Sequence, residues 1–201
     1  MISKKVLIIQ GHPNKDSLSS RISARYKEGA EAGGAEVKEI IVKDLDFNPI
    51  LFLGYKRIEK LEDDILSSQQ LIAWADHLVF IYPNWWGTYP ALFKGFIDKV
   101  LWPGFAFQYR KDSKKVDALL TGKSARVIVT MDTPMWYYNL VQGRPGHRAI
   151  KGATLKFCGI SPVRFLTLTP VRNAEEKKVS NWLSKVYSLG LRVQKIKDKG
   201  Q

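Results

Sequence analysis

Five short apolar runs, each separated from the next by a longer stretch, constrain the fold of this chain most strongly. They occupy residues 6–9, 36–42, 77–82, 125–130 and 163–168, and the second of them alternates charged and apolar residues before it becomes apolar. Runs of this length and composition are typical of strands buried in a parallel sheet. Parallel strands are joined by long crossovers, which are almost always right-handed. The sequence therefore predicts an α/β fold, a doubly wound sheet of five parallel strands with helices on both faces.

The stretches between the runs predict the helices. Helical spacing covers residues 17–33, 61–75, 91–101, 148–158 and 174–195, and glycines at Gly33 and Gly159 end two of them. Residues 44–55 and 132–145 are predicted to be irregular loops, which in a compact domain are commonly functional. No linker or change of composition divides the chain, so we expect a single domain over residues 1–201.

The charge balance and the single cysteine narrow the class of protein. The chain has 32 Lys and Arg residues against 19 Asp and Glu, a net charge of +13. These cations are spread along the chain without a nucleic-acid-binding motif, which favours a surface that attracts anionic nucleotides over nucleic acid as the main partner. Cys158 alone cannot form an intramolecular disulfide, and the first apolar run is too short for a membrane span. A cytoplasmic protein without a membrane span is expected.

The loop after the first strand is a candidate anion site. In an open doubly wound sheet, ligands bind beyond the carboxyl ends of the strands. This loop joins a strand to a helix and contains His12, Ser17, Leu18 and Ser19. Free N–H groups at a helix start bind phosphates, whereas the alternative role of the loop is N-capping by Asp16 or Ser17. It contains neither a GxGxxG nor a GxxxxGK[ST] pattern, which argues against a Rossmann dinucleotide site and a P-loop.

The loops after the third and fourth strands are rich in aromatic residues. Trp85 and Trp86 are adjacent after a buried strand, and they cannot both point into the core from one turn. A flat heteroaromatic ligand explains them, with Gly87 allowing close approach of the backbone, and a subunit interface is the alternative. The fourth-strand loop carries hydroxyls, an acid and three consecutive aromatics at residues 136–138. Its alternative role is a loop tip that buries its own rings.

Metal and nucleophilic chemistry find little support in the sequence. His12, His77, His147 and Cys158 do not have the spacing of a zinc site, so no metal is predicted. A GxSxG motif is absent, which argues against an α/β-hydrolase. Cys158 precedes Gly159 on an apolar helix end and is interpreted as a buried structural thiol.

Taken in order, these segments resemble the flavodoxin-like NAD(P)H:quinone oxidoreductase family. The matching segments are VLIIQGHP at 6–13, FNP at 47–49, YPNWWG at 82–87, PALFKGFIDKV at 90–100, GFAF at 104–107 and FCG at 157–159. The resemblance implies a flavodoxin-like sheet of order 2-1-3-4-5. It also implies ping-pong transfer of hydride from NAD(P)H, through bound FMN or FAD, to a quinone or another small planar oxidant.

The resemblance, carried over by position, implies roles for particular residues. The flavin phosphate or diphosphate would be held by His12, Ser17, Leu18 and Ser19. The isoalloxazine ring would be lined by Pro83, Asn84, Trp85, Trp86 and Gly87. Its pyrimidine edge would be reached by Thr130, Met131, Asp132 and Thr133, with Tyr137 or Tyr138 as catalytic groups at the hydride site. In a homodimer, the substrate pocket would be bordered from the partner subunit by Phe107, Gln108 and Tyr109.

Departures from the family pattern leave several questions open. The family often has a Thr-Thr-Gly-Gly turn where this chain has Met131, Asp132 and Thr133, so the N–H donors to the flavin can differ. His147 is the nearest candidate for a histidine at the hydride site, although a helix-capping or exposed role is favoured. The length of the chain favours FMN over FAD. The electron acceptor and the choice of NADH or NADPH stay open.

Two other functions are compatible with the same fold. A flavodoxin-type electron carrier would exchange single electrons with protein partners, but such carriers are usually acidic and this chain is basic. A regulatory flavoprotein subunit would bind a transporter or another protein, with any reductase activity secondary.

Overall fold

The computed structural model describes residues 3–55, 60–111 and 115–196. Its strands are β1 Lys5–Gln10, β2 Glu36–Ile41, β3 His77–Pro83, β4 Phe107–Tyr109, β5 Val116–Ala118, β6 Ser124–Thr130 and β7 Val163–Leu168. Its α-helices are α1 Leu18–Ala32, α2 Asp63–Trp74, α3 Ala91–Val100, α4 Met135–Leu140, α5 Pro145–Arg148 and α6 Glu176–Leu191. A π-helix, Ala149–Lys156, continues α5, and Val42–Asp44 and Val193–Lys195 are short 3-10 helices.

The main sheet confirms the predicted doubly wound architecture. Its five strands are parallel and lie in the order β2-β1-β3-β6-β7, which is 2-1-3-4-5 when the sheet strands alone are numbered. The apolar residues of β1 are fully buried because helices cover both faces of the sheet. The chain leaves β1 toward β2 on one side and returns to β3 on the other, so a crevice opens at the carboxyl ends of β1 and β3.

Two apolar layers cover the faces of the sheet. One layer contains Ile22 and Tyr26 of α1 together with Val186 of α6. The other layer contains side chains from α2, α3 and the π-helix, among them Phe93 and Phe96. The central strands therefore lie between the two layers.

The helices α1 and α6 approach each other closely because glycines meet at their crossing. A Cβ added to Gly29 would lie 2.2 Å from the carbonyl oxygen of Tyr187, and one added to Gly190 would lie 2.4 Å from that of Tyr26. Those distances leave no room for a methyl group, so the two backbones pack directly against each other.

Three local features differ from the sequence prediction. The strands β4 and β5 form a separate antiparallel hairpin that was not predicted, because three-residue strands carry too little alternation to be recognised. The segment predicted to be a loop at 132–145 contains α4, which is only six residues long, with half of them exposed, and is therefore too short to show an amphipathic period. The helix predicted from residue 148 begins at Pro145 and widens into the π-helix, whose longer turn places Ile150 and Leu155 on the same buried line.

No helix within the described ranges has the length and apolar character needed to cross a lipid bilayer.

Candidate functional site

Three loops meet at the carboxyl edge of the central strands. The N–H of Asn84, after β3, donates to the carbonyl of Thr130 at the end of β6 at 2.7 Å. The N–H of Gly11, after β1, donates to the carbonyl of Ile81 at 2.8 Å. The ring of His12 lies edge-on to Trp85 with a centroid distance of 5.7 Å. The structure thus brings together the three loops that the sequence singled out, which follow β1, β3 and β6.

The side chain of Gln10 orders the first loop. Its Oε1 accepts from the N–H of His12 at 3.0 Å, and its Nε2 donates to Ser20 Oγ at 3.0 Å. The N–H of Asn14 donates to His12 Nδ1 at 2.9 Å, so the ring proton of His12 lies on Nε2. Partial burial lowers the pKa of His12 below its usual value. At neutral pH His12 therefore offers an N–H donor rather than a positive charge.

The start of α1 presents free hydrogen-bond donors. Ser17 is the N-cap, and its Oγ accepts from the N–H of Ser20 at 3.2 Å. The N–H groups of Leu18 and Ser19 have no acceptor among the described residues, as expected for the first turn of a helix. Ser19 Oγ is also buried without a described partner. A helix of 15 residues that begins with unpaired donors fits an anion.

Asp16 stands apart from this arrangement. Its carboxylate is exposed and does not pair with either neighbouring cation, since Lys15 pairs with Asp44 at 3.1 Å and Arg21 with Glu176 at 2.8 Å. The N-cap is thus Ser17, one of the two residues that the sequence proposed.

The loop after β3 is a tight turn that presents two tryptophans. Trp85 and Thr88 exchange two backbone hydrogen bonds of 2.9 and 3.0 Å. The two residues between them, Trp86 and Gly87, have φ angles of 51° and 80°, as in a type I′ turn. Gly87 adopts this left-handed conformation without a steric penalty. Trp86 is fully exposed and Trp85 is 43% exposed, so neither ring belongs to the core.

Gly146 supports this turn from behind, a contact that the sequence analysis missed. A Cβ at Gly146 would lie 2.6 Å from the carbonyl oxygen of Gly87 and 3.2 Å from Asn84 Oδ1. Only glycine allows the two segments to approach so closely. The sequence signal was present in the Pro145-Gly146-His147 triplet, but its partner in space is almost sixty residues away.

The loop after β6 is tied to the loop after β7. Asp132 Oδ1 accepts from the N–H of Arg172 at 2.7 Å, and the carbonyl of Thr133 accepts from the hydroxyl of Thr169 at 2.6 Å. The carboxylate of Asp132 is therefore engaged by Arg172, although the side chain stays exposed. The N–H groups of Asp132 and Thr133 have no acceptor among the described residues. They are donors that a ligand in the crevice can use.

The two candidate tyrosines have different environments. Tyr138 is fully buried, its hydroxyl accepts from the N–H of His147 at 3.2 Å, and its ring lies 5.0 Å from that of His147. Tyr137 is 39% exposed and packs edge-on against Trp136. Of the two, only Tyr137 presents its ring to solvent.

His147 is neither a helix cap nor exposed, contrary to the role favoured from the sequence. Its Nε2 lies 3.3 Å from Thr167 Oγ1, and its ring lies 4.3 Å from that of Phe165. Burial lowers the pKa of His147 to about 4, and the nearby Arg144 acts in the same direction. The neutral imidazole joins the end of α4 to the edge strand β7.

The predicted substrate-pocket residues lie elsewhere in the chain. Phe107 and Tyr109 line a cavity of about 340 Å³ between α3 and the π-helix, together with Tyr55 and Phe157. Gln108 is exposed on the hairpin and does not line this cavity. Within one chain, the three residues therefore do not share a cavity with the flavin-site loops.

The described residues contain neither a candidate metal centre nor a reactive cysteine. The described residues contain no group of three His, Cys, Asp or Glu side chains placed to hold a metal ion. Cys158 is buried, and burial raises the pKa of its thiol to about 11, so the thiol stays protonated and a poor nucleophile.

Comparison with known proteins gives a consistent result. A family model described as a flavodoxin-like fold matches residues 4–188. An uncharacterized NAD(P)H oxidoreductase of Haemophilus influenzae is 28% identical over 179 residues, which cover 85% of this chain and 86% of that protein. A ribosyldihydronicotinamide dehydrogenase [quinone] of Rattus norvegicus is 26% identical over 230 residues, with 94% and 93% coverage. A crystal structure from Streptococcus mutans has a TM-score of 0.80 and 30% identity, and covers 94% of this chain and 100% of that one.

Proposed function

Since the chain belongs to the flavodoxin-like NAD(P)H:quinone oxidoreductase family, we propose that it is a flavin-dependent enzyme acting on quinones. It transfers hydride from NAD(P)H, through bound FMN, to a quinone or a similar planar oxidant by a ping-pong mechanism. FAD is the alternative flavin. One observation carries the proposal: unpaired N–H donors occur on two of the loops that meet at the crevice of the sheet, where the partly exposed ring of Trp85 also lies.

The first loop and the start of α1 suit the phosphate of the flavin. The N–H groups of Leu18 and Ser19, the hydroxyls of Ser17 and Ser19, and Nε2 of His12 would hold it. The positive end of the α1 dipole adds to their attraction for a dianion.

The turn from Pro83 to Gly87 suits the ring system. The ring of Trp85 offers a flat apolar surface, while Asn84 and Gly87 hold the backbone in place through Thr130 and Gly146. The end of β6, from Thr130 and Met131 to Asp132 and Thr133, would lie along the pyrimidine edge. Bound there, the flavin supplies a two-electron acceptor that takes hydride from NAD(P)H and passes it to the oxidant.

The chain itself contributes orientation and charge stabilisation. The N–H groups of Asp132 and Thr133 stabilise negative charge that grows at the pyrimidine edge. Tyr137, being exposed, is the tyrosine that reaches the reacting molecules. Tyr138 is buried and acts by holding α4 against His147.

The proposal includes a homodimer in the cytoplasm, with all 201 residues in one domain. Phe107, Gln108 and Tyr109 border the substrate pocket of the opposite subunit, because within one chain they stand apart from the flavin loops. The rings of Trp86 and Trp136 are exposed at the edge of the site, where a second subunit would cover them.

The test is a visible spectrum of the purified protein with FMN or FAD, recorded without oxygen before and after NADPH or NADH. We expect an oxidised-flavin band that bleaches in a single two-electron step and returns on addition of a quinone. Binding without bleaching by either nucleotide would favour the electron carrier or the regulatory subunit. Failure of both flavins to bind would contradict the proposed site.

A matched pair of variants tests the phosphate subsite. Ser19→Ala removes a donor from the phosphate, so the Kd for FMN should rise roughly tenfold or more, as for loss of a hydrogen bond to a charged group. The Kd for riboflavin, which lacks the phosphate, should change little. Ser188→Ala removes an exposed hydroxyl bonded within α6 and is the control. An equal loss of FMN and riboflavin binding would contradict the assignment.

A further inference from the structure

The outer edge of β7 carries backbone groups that no described strand uses. The N–H of Ala125 donates to the carbonyl of Pro162, and the N–H of Met131 donates to the carbonyl of Leu168. In a parallel ladder both backbone groups of alternate residues face the same neighbour, so Arg164 and Leu166 also face β6. The N–H and carbonyl groups of Phe165 and Thr167 therefore point away from the sheet.

A long groove runs along this edge. It encloses about 1110 Å³, and its floor includes Phe165, Leu166 and Thr167. One wall is formed by side chains between residues 143 and 156, and the other by Lys185 of α6. Five cations line it and none of its described lining residues is acidic: the cations are Arg144, Arg148, Lys151, Lys156 and Lys185.

We propose that this edge groove binds an extended acidic peptide segment of another protein, which adds a strand to β7. The backbone of such a segment supplies both the acceptors and the donors that the N–H and carbonyl groups of Phe165 and Thr167 need. Its carboxylates neutralise the five cations. None of the residues proposed to contact the flavin lines the groove, so the inference stands apart from the proposed function.

Other occupants match the groove less well. A second copy of the chain would bring its own five cations to the same edge and be repelled. A phosphate-rich polymer would neutralise the cations. Its phosphates are hydrogen-bond acceptors, however, so they would leave the outward carbonyls of Phe165 and Thr167 without a donor. The cations could instead serve only to protect the sheet edge from aggregation. That role requires charge on the strand itself, where Arg164 is exposed, and does not explain cations on the flanking helices.

The distribution of charge predicts the pattern of the peptide. Four of the five cations lie on the wall that Phe165 and Thr167 face, since His147 of that wall contacts both side chains. The wall on the Leu166 side carries Lys185 alone. Successive side chains of an added strand point to opposite walls. The segment should therefore alternate acidic residues with apolar ones.

The probe is a fluorescent peptide of about ten residues that alternates Glu and Val, added to the full-length protein saturated with FMN. We expect saturable binding that weakens about tenfold in Lys151→Glu/Lys156→Glu, which reverses two charges in the wall. Lys27→Glu/Lys177→Glu makes the same change of net charge outside the groove and should bind like the native protein. Quinone reduction should be unchanged in both variants.

Hydrogen exchange distinguishes strand addition from attraction of charge alone. On binding, the amides of Phe165 and Thr167 should exchange at least about tenfold more slowly, whereas the amide of Leu166, already paired with β6, should not change. The same peptide methylated at every backbone nitrogen keeps its charge and should not bind.

Three outcomes would overturn the proposal. These are an absence of binding, equal binding of the methylated peptide, and displacement by inorganic tripolyphosphate together with unchanged exchange at Phe165 and Thr167. The last two would identify a general anion site instead.

Discussion

His77 is a buried histidine whose protonation opposes folding. Its Nδ1 lies 2.9 Å from Ser124 Oγ, and it is 1% exposed. Burial first, and then the nearby Arg126 and Lys4, lower its pKa to about 3. An unfolded chain takes up this proton near pH 6.5, so the free energy of unfolding should fall as the pH drops from about 6.5 toward 3. The contribution of His77 to the slope of the free energy of unfolding against pH is about 1.4 kcal/mol per pH unit at most. Urea unfolding at a series of pH values is the measurement.

A substitution separates His77 from the other titrating groups. His77→Gln has no proton to gain, so it should be less stable than the native protein at neutral pH but lose less stability on acidification. His12→Gln alters a half-buried histidine and should change the slope less. A His77→Gln variant with the native slope would contradict this account.

The individual residues of the candidate site were predictable to different degrees. His12, Ser17 and Trp85 follow directly from local sequence, because each lies immediately after a recognisable strand or before a helix. The partner of Asp132 was not predictable, since Arg172 is 40 positions away. The burial of Tyr138 likewise depends on a tertiary contact with His147, which no local pattern reveals.

Among the elements of the site, the Trp85–Thr88 turn depends on the glycine behind it. Gly146→Ala would place a methyl group against the carbonyl of Gly87 and move the turn. We expect the Kd for FMN to rise roughly tenfold or more, which corresponds to the usual cost of inserting a larger side chain at a tight contact. Flavin titration is the measurement. Gly152→Ala is the control, because its Cβ would have no atom within 4 Å. Equal FMN affinity in the two variants would show that the turn does not position the flavin.

The contact between α1 and α6 gives a second prediction at this scale. Alanine normally stabilises a helix relative to glycine. At Gly190 the added methyl group would lie 2.4 Å from the backbone oxygen of Tyr26, so Gly190→Ala should lower the free energy of unfolding by about 1–3 kcal/mol. Gly152→Ala should not show this loss. Chemical denaturation of both variants is the measurement, and a Gly190→Ala variant as stable as the control would contradict the packing.

The elements that the sequence predicted well are the buried ones. β1, β3 and β6 are covered on both faces, which favours mostly apolar sequences that are easy to recognise, although Arg126 interrupts the apolar residues of β6. The hairpin of β4 and β5 is only three residues long in each strand, and α4 is only six residues long with half of them exposed, so packing imposes little pattern on their sequences.

For the whole molecule, topology explains why the meeting of three loops was predictable and the groove was not. Parallel strands with right-handed crossovers place the carboxyl ends of β1, β3 and β6 at one edge, so three loops distant in sequence must meet there. The groove beside β7 arises because this strand is last in the sheet and its flanking helices leave its edge open. Four of the five cations of that groove lie between residues 144 and 156, and the fifth is Lys185 of α6, so the fold is needed to bring them to one edge.

The assembly of two chains is the last prediction. Trp86, Trp136 and Leu140 are all exposed, and α4 leads through residues 141–145 to the glycine that supports the Trp86 turn. An apolar surface of this kind is typically covered by a partner. The native protein should therefore sediment at twice 22.9 kDa, whereas Leu140→Glu should sediment as a monomer. Leu66→Glu introduces the same charge at an exposed leucine of α2 and should stay a dimer. Under the proposal that Phe107 and Tyr109 border the pocket of the opposite subunit, the Leu140→Glu monomer should bind FMN normally but reduce quinones poorly. A native protein that sediments at 22.9 kDa, or a monomeric variant with full activity, would contradict this assembly.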